Sequence, residues 1–169
     1  QKGILSDAYQ AAYRQGGGMA IAALARASGR QSSTTGNTGE YSSAEYLAAA
    51  YKGWRHLEEH NLEYLDDGRE NIIDDFCALL AADELLIAGS GGAEGLVAAL
   101  EYRTLRILDR WESECGCFRA DDSGQWSWFH ASDEALPLVV LMRVIESGFL
   151  SPDLKNRAFL VVDAAMGWE

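Results

Sequence analysis

Prolines, cysteines, histidines and basic side chains are all scarce in this 169-residue sequence. The two prolines, Pro137 and Pro152, each stand near a predicted helix start, where the missing N–H is tolerated. Three cysteines, Cys77, Cys115 and Cys117, are too few and too unevenly spaced for a disulfide framework. Lys and Arg number 14 against 26 Asp and Glu, for a net charge of −12. That balance excludes a nucleic-acid or anionic-membrane surface, since both need clustered cations. Long apolar runs are missing too: a bilayer span needs about 20 apolar residues, and charge interrupts every stretch here well before that. The opening residues do not read as a secretory signal. What is present is a 48% hydrophobic, 10% aromatic composition, which excludes a disordered chain and suits one domain with a sizeable core.

Cys77 sits in an apolar helical run and reads as a core thiol. Cys115 and Cys117 are too close for a Cys-x2-Cys zinc half-site, and we read them as two thiols in a loop. Thiols of that kind suit a reducing, cytoplasmic setting. The chain begins Gln1-Lys2-Gly3 without an initiating Met. It ends on Val161 to Glu169, an amphipathic run with only Gly167 as a poor cap. We read it as a piece of a longer polypeptide.

Helical periodicity dominates. Met19 to Ala27 is rich in Ala and Leu and is entered through Gly16-Gly17-Gly18, a triplet best explained by close helix packing. Gln31 to Gly39 is polar loop. Ser42 with Glu45 forms an N-terminal box, and Leu47, Ala50, Tyr51, Trp54 and Leu57 continue that helix at spacings of three and four. Asn71 to Ala88 is a third helix, with an acidic start that suits the helix dipole. Leu96 to Trp111 is a fourth. Phe118 to Ala120 and Trp126 to Trp128 flank turn chemistry at 121–125, which predicts a short β-like hairpin near 117–128. Ser132 to Ile145 is a fifth helix, and Ser151-Pro152-Asp153 starts a sixth.

These six fall into three hairpins. Their first members share a small, apolar texture and recur roughly 60 residues apart, in Ala20 to Leu24, Ala78 to Ala82 and Leu138 to Met142. The expected fold is all-α: one partial domain, 1–169, holding about three of the six hairpins of an (α/α)6 toroid.

Two loops are rich in functional groups. The first, His60 to Asn71 with Asp74 and Asp75, gathers carboxylates, Arg69, His60 and Tyr64. Carboxylates and Arg supply the planar, directional partners that sugars need, and crowded carboxylates can raise a pKa for acid catalysis. It is not a calcium loop, since the twelfth position from Asp66 is Cys77 rather than Glu. The second, Trp126 to Asp133, offers rings that can stack on sugar faces, with His130 and Asp133 beside them. His56 lies mid-helix and reads as structural. No Ser-His-Asp or Cys-His arrangement indicates a nucleophilic enzyme.

The first loop, His60-Asn-Leu-Glu-Tyr-Leu-Asp-Asp-Gly-Arg-Glu-Asn71 and its continuation to Ala82, resembles the central region of bacterial glycoside hydrolase family 9 proteins. The branch is the endoglucanase-related, cellobiase or glucosaminidase-like one. Phe129-His-Ala-Ser-Asp-Glu-Ala-Leu-Pro137 resembles a second signature of that branch, and Ala8 to Gly18 fits as well, so the resemblance covers essentially the whole chain. It implies an (α/α)6 barrel and inverting hydrolysis of β-1,4-linked glucosides, with one acid and one base. The family's base lies in an Asp-Ala-Gly-Asp type motif and its acid is a late Glu. Neither motif is present, so no catalytic residue is assigned and the chain alone is expected to be inactive. The expected substrate-binding residues are Tyr64, Asp67, Arg69, Glu70, Asp74, His130 and Asp133, with no cofactor and no metal. The partners this implies are an oligosaccharide in the parent protein, and either a second copy or the missing remainder to cover exposed apolar helix faces. The alternatives are another six-hairpin sugar enzyme, such as an epimerase, and a non-catalytic helical scaffold.

Overall fold

Caps written into the sequence set the helix boundaries. The computed structural model describes residues 10–31, 41–89, 93–123 and 131–167, with side chains described for these except at 30–31, 93–94 and 131–134. The helices are α1 (Gly17–Gln31), α2 (Ser43–His60), α3 (Ile72–Ile87), α4 (Ala93–Leu108), α5 (Ala131–Ser147) and α6 (Pro152–Met166). Single 3-10 turns at Tyr13–Gln15 and Asn61–Tyr64 lead into α1 and out of α2. Ser42 Oγ accepts from the Glu45 N–H at 3.3 Å, and the Glu45 carboxylate accepts from the Ser42 N–H at 2.8 Å. Asn71 and Asp74 form the same reciprocal box at α3: Asn71 Oδ1 accepts from Ile73 and Asp74, and Asp74 Oδ2 accepts from the Asn71 N–H at 3.1 Å. Each box satisfies N–H groups that a helix start leaves orphaned. Pro152 opens α6, where its fixed φ is already helical.

Consecutive helices pack as pairs, α1 on α2, α3 on α4 and α5 on α6. α3 also packs against both α1 and α5, so it runs through the middle of the molecule. Its Phe76, Leu79 and Leu85 are almost fully buried, against Leu96, Leu100 and Ile107 of α4 and Leu141 and Val144 of α5. Each such side chain contributes about 1.5–3 kcal/mol by leaving water. The glycine triplet permits the closest approach. A Cβ on Gly18 would lie 2.6 Å from the Cys77 carbonyl oxygen of α3, and one on Gly17 would lie 2.7 Å from Leu57 Cδ1 of α2. Cys77 itself is buried in the core.

Two expectations fail between α4 and α5. Trp111 is not the end of α4 but begins a strand. The two-stranded antiparallel sheet is β1 (Trp111–Glu112) on β2 (Cys117–Phe118), with Trp111 opposite Phe118. The turn of this sheet lies at 113–116, where Gly116 adopts φ +62°, and residues 121–123 form a further bend and turn where the sequence predicts one. The Trp111 and Phe118 rings meet edge to face at 5.0 Å, a cross-strand contact that stabilises this register. The expected second strand, 126–128, lies outside the described residues. The tight turn also brings Cys115 and Cys117 together as a disulfide, with Cα atoms 5.3 Å apart, rather than two thiols. This removes the reason for favouring a reducing compartment. Among the described residues no helix is long and apolar enough to cross a membrane.

Candidate functional site

The segment before α3 touches the chain before α1 on one side and the arm after β2 on the other. Arg14, just before α1, donates to Asp67 at 2.7 Å and to the Arg69 carbonyl at 3.3 Å. Its backbone N–H donates to Asp74 at 3.3 Å. The Tyr13 N–H donates to Asn61 Oδ1 at 2.8 Å, and the Ile72 N–H to the Ala120 carbonyl at 2.9 Å. These bonds tie the 61–71 loop to the chain before α1 on one side and to the β2 arm on the other.

Beneath this junction lies a buried ion network. Asp75 is fully buried and is held by three arginines, Arg103 at 2.8 Å, Arg106 at 2.9 Å and Arg110. Arg103 also grips both oxygens of Glu70, at 2.7 and 3.0 Å. Arg110 reaches Asp122 with Nε at 3.2 Å and Nη2 at 3.1 Å. Three cations thus surround the buried Asp75, with Glu70 and the largely exposed Asp122 at the rim, as a charge removed from water requires. Burial works against the charge on both Glu70 and Arg103, but their mutual bonding outweighs it. Glu70 titrates below the ordinary carboxylate range and Arg103 above the ordinary arginine range.

The outer groups of this network line an open cleft of about 520 Å³, together with Arg69, Tyr102 and Asp121. Asp121 accepts the Ser123 N–H and hydroxyl at 2.8 and 2.6 Å, and the hydroxyl bond holds it below the usual carboxylate range. The Tyr102 ring is 52% exposed, with the Arg103 and Arg106 guanidinium carbons 5.5 and 5.7 Å from its centroid. Ionised carboxylates only accept and guanidinium groups only donate. A cleft offering both beside an aromatic face suits a ligand dense in hydroxyl groups, each of which does both.

The sequence-predicted site residues divide among several places. Arg69 and Glu70 line the cleft, although Glu70 is committed to Arg103. Asp67 is exposed, and the Arg14 bond keeps its pKa low. Asp74 is fully buried as the α3 box partner, and burial raises its pKa against the Asn71 N–H and Arg14 that oppose the rise. Tyr64 is elsewhere, in a groove beside α1 and α2, where its hydroxyl meets His56 Nε2 at 2.7 Å and the two rings stack. His130 and the side chain of Asp133 lie outside the described residues. Tyr102, Arg106, Asp121 and Asp122 were not singled out from the sequence. The available signal was the run Arg103, Arg106, Arg110, whose spacings of three and four place all three cations on one helical face. Among the described residues no cluster of His, Cys, Asp and Glu is arranged to hold a metal ion.

A second buried carboxylate, Asp83, lies near the other end of α3. Neither of its oxygens has a hydrogen-bond partner among the described residues. Arg143 approaches only to 4.0 Å and is committed to Glu84, which Arg26 also faces at 3.6 Å. Burial therefore raises the Asp83 pKa, with Arg143 and Arg26 opposing the rise and Glu84 adding to it. A raised folded pKa means that stability falls as pH climbs from the unfolded carboxylate value, about 3.9, through the folded one. Asp83→Asn is accordingly expected to stabilise the chain by about 1–2 kcal/mol at pH 7. The gain should shrink toward pH 4. Urea melts of both proteins across that range check it, and a gain independent of pH would contradict the assignment.

No protein-family profile matches this chain, and no curated protein matches it.

Proposed function

We propose that the chain is a segment of an inverting glycoside hydrolase with an (α/α)6 catalytic toroid, acting on β-1,4-linked glucosides or related oligosaccharides. In this reading it supplies substrate-contacting loops and not the acid/base pair. The observation that carries it is the cleft between the 61–71 loop, α4 and the arm after β2, where Tyr102 presents a half-exposed ring between arginines and carboxylates. The paired helices, with α3 between α1 and α5, are the packing that three consecutive hairpins of such a toroid would have. The resemblance of His60 to Ala82 and of Phe129 to Pro137 to glycoside hydrolase family 9 supplies the substrate class. A helical scaffold without a sugar ligand is the second reading. It is favoured by the fact that Glu70, Asp74 and Asp75 are held in internal bonds.

The two readings separate in one experiment. Cellobiose and glucosamine are titrated while thermal unfolding is followed, and at least one should raise the midpoint, because a ligand bound only to the folded chain stabilises it. Tyr102→Ala removes an exposed side chain and should leave the unliganded midpoint nearly unchanged. It should weaken the sugar effect by about tenfold in concentration. An aryl β-glucoside should remain uncleaved throughout. No midpoint shift with either sugar would favour the scaffold, and an equal shift in the variant would place the sugar away from Tyr102.

A further inference from the structure

Cys115 and Cys117 are joined across a single residue at the tip of the β1–β2 arm. The turn holds them in place. Gly116 between them adopts φ +62°, which a residue with a Cβ disfavours, and Cys117 pairs with Glu112 across the sheet. The bond is a weak staple for the fold. A cross-link acts mainly by restricting the unfolded chain, and that restriction grows with the length of the loop closed. Here only Gly116 lies inside the loop. Cys115 is exposed, whereas Cys117 is only 6% exposed. A thiol arriving from solvent therefore meets the Cys115 sulfur first. What the bond does restrain is local. The sheet is two residues by two, too short to hold as a hairpin in water unaided. Just beyond it the Ala120 carbonyl accepts the Ile72 N–H at the head of α3, and Asp121, Asp122 and Ser123 then enter the wall of the cleft.

We propose that Cys115-Gly116-Cys117 is a reversible thiol–disulfide exchange site, opened by a low-molecular-weight thiol, and that its opening loosens the β1–β2 arm beside the cleft. The thiolate of a first thiol molecule attacks Cys115 Sγ. A bond forms between those two sulfurs, the Cys115–Cys117 bond breaks, and Cys117 leaves as a thiolate that takes a proton. A second thiol molecule attacks the first one's sulfur in this mixed disulfide and releases Cys115, which is protonated in turn. The two cysteines gain two electrons, and the two thiol molecules become one disulfide. The same turn favours the reverse reaction, because it keeps the Cα atoms 5.3 Å apart, inside the usual range for a disulfide. Phe118 is buried in the core and keeps the opened arm attached. The inference does not depend on the sugar reading.

Glutathione is the probe, on the full 169-residue chain. The chain is equilibrated with reduced and oxidised glutathione, quenched with acid, then alkylated in denaturant so that every thiol reports. At a cytosolic ratio the labelled thiols should rise from one, Cys77, to three, and excess oxidised glutathione should return the count to one. Early quenching should trap the glutathione adduct on Cys115. Circular dichroism should show the helices intact throughout. Amide hydrogen exchange over 111–120 should quicken by about tenfold on opening, with α1 and α6 unchanged. The double variant Cys115→Ser, Cys117→Ser should match the opened wild type. A pair that stays closed until denaturant is added, an adduct on Cys117 alone, helices lost on opening, or unchanged exchange over 111–120 would each overturn the proposal.

Discussion

Asp75→Asn is expected to cost about 3–5 kcal/mol of stability. The side chain is fully buried and joins Arg103, Arg106 and Arg110 at one point. Arg103 and Arg110 are themselves almost wholly buried. Without the central carboxylate they face one another with only Glu70 and Asp122 left to balance them. Burial leaves no water to take over, so the penalty is that of uncompensated buried charge and not the net worth of an ion pair. Asp67→Asn is the control. It also removes an arginine-bound carboxylate, but one 57% exposed, and should cost no more than about 1 kcal/mol. Urea denaturation of the three proteins measures both. Combining Asp75→Asn with Arg110→Met should recover part of the loss, since the two residues are coupled. Equal, small effects at Asp75 and Asp67 would mean that the network is hydrated and not buried.

Gly18→Ala is expected to destabilise by about 1–3 kcal/mol, although alanine is the better helix former. The added methyl would lie 2.6 Å from the Cys77 carbonyl oxygen and 2.8 Å from the Cys77 Cβ, so α1 or α3 must move. Backbone cannot rotate aside as the end of a side chain can. For a chain of this size the thermal midpoint should fall by about 2–4 °C for each kcal/mol lost. Gly29→Ala gives the internal comparison. It lies in the same helix, with none of the described residues within 4 Å of the added carbon, and should be neutral or stabilising. Opposite signs at the two glycines would separate close packing from helix propensity. A stabilising effect at both would mean that the α1–α3 approach is looser than described.

Much of the helical frame was legible before any coordinates. Ser42 with Glu45, Asn71 ahead of an apolar run, and Ser151-Pro152 each mark a helix start through local chemistry, and the helices begin there. The glycine triplet was legible as a packing feature for a related reason: three residues without side chains beside an Ala-rich helix leave room only for a close neighbour. The β1–β2 arm was not. Its register rests on Trp111 meeting Phe118 across the sheet, and local turn preference at 121–125 carries no information about that pairing. The union of Cys115 and Cys117 was not legible either, because it depends on the tight turn at 113–116 that joins β1 to β2.

The site divides in the same way. Sequence alone marked His60 to Asn71 as dense in charge and assigned Asp67, Glu70 and the following Asp74 to a ligand. Tertiary structure decided which of them face solvent: Asp74 and Asp75 turn inward, Glu70 is bound to an arginine 33 positions away, and the open wall is completed by Tyr102 and Asp121. Local patterns determine helix starts, helix faces and net charge, since these depend on neighbours a few residues apart. Whether a carboxylate is a ligand contact or the anchor of a buried network depends on which arginines fold over it. Only the packing of α3 against α4 and the β2 arm fixes that.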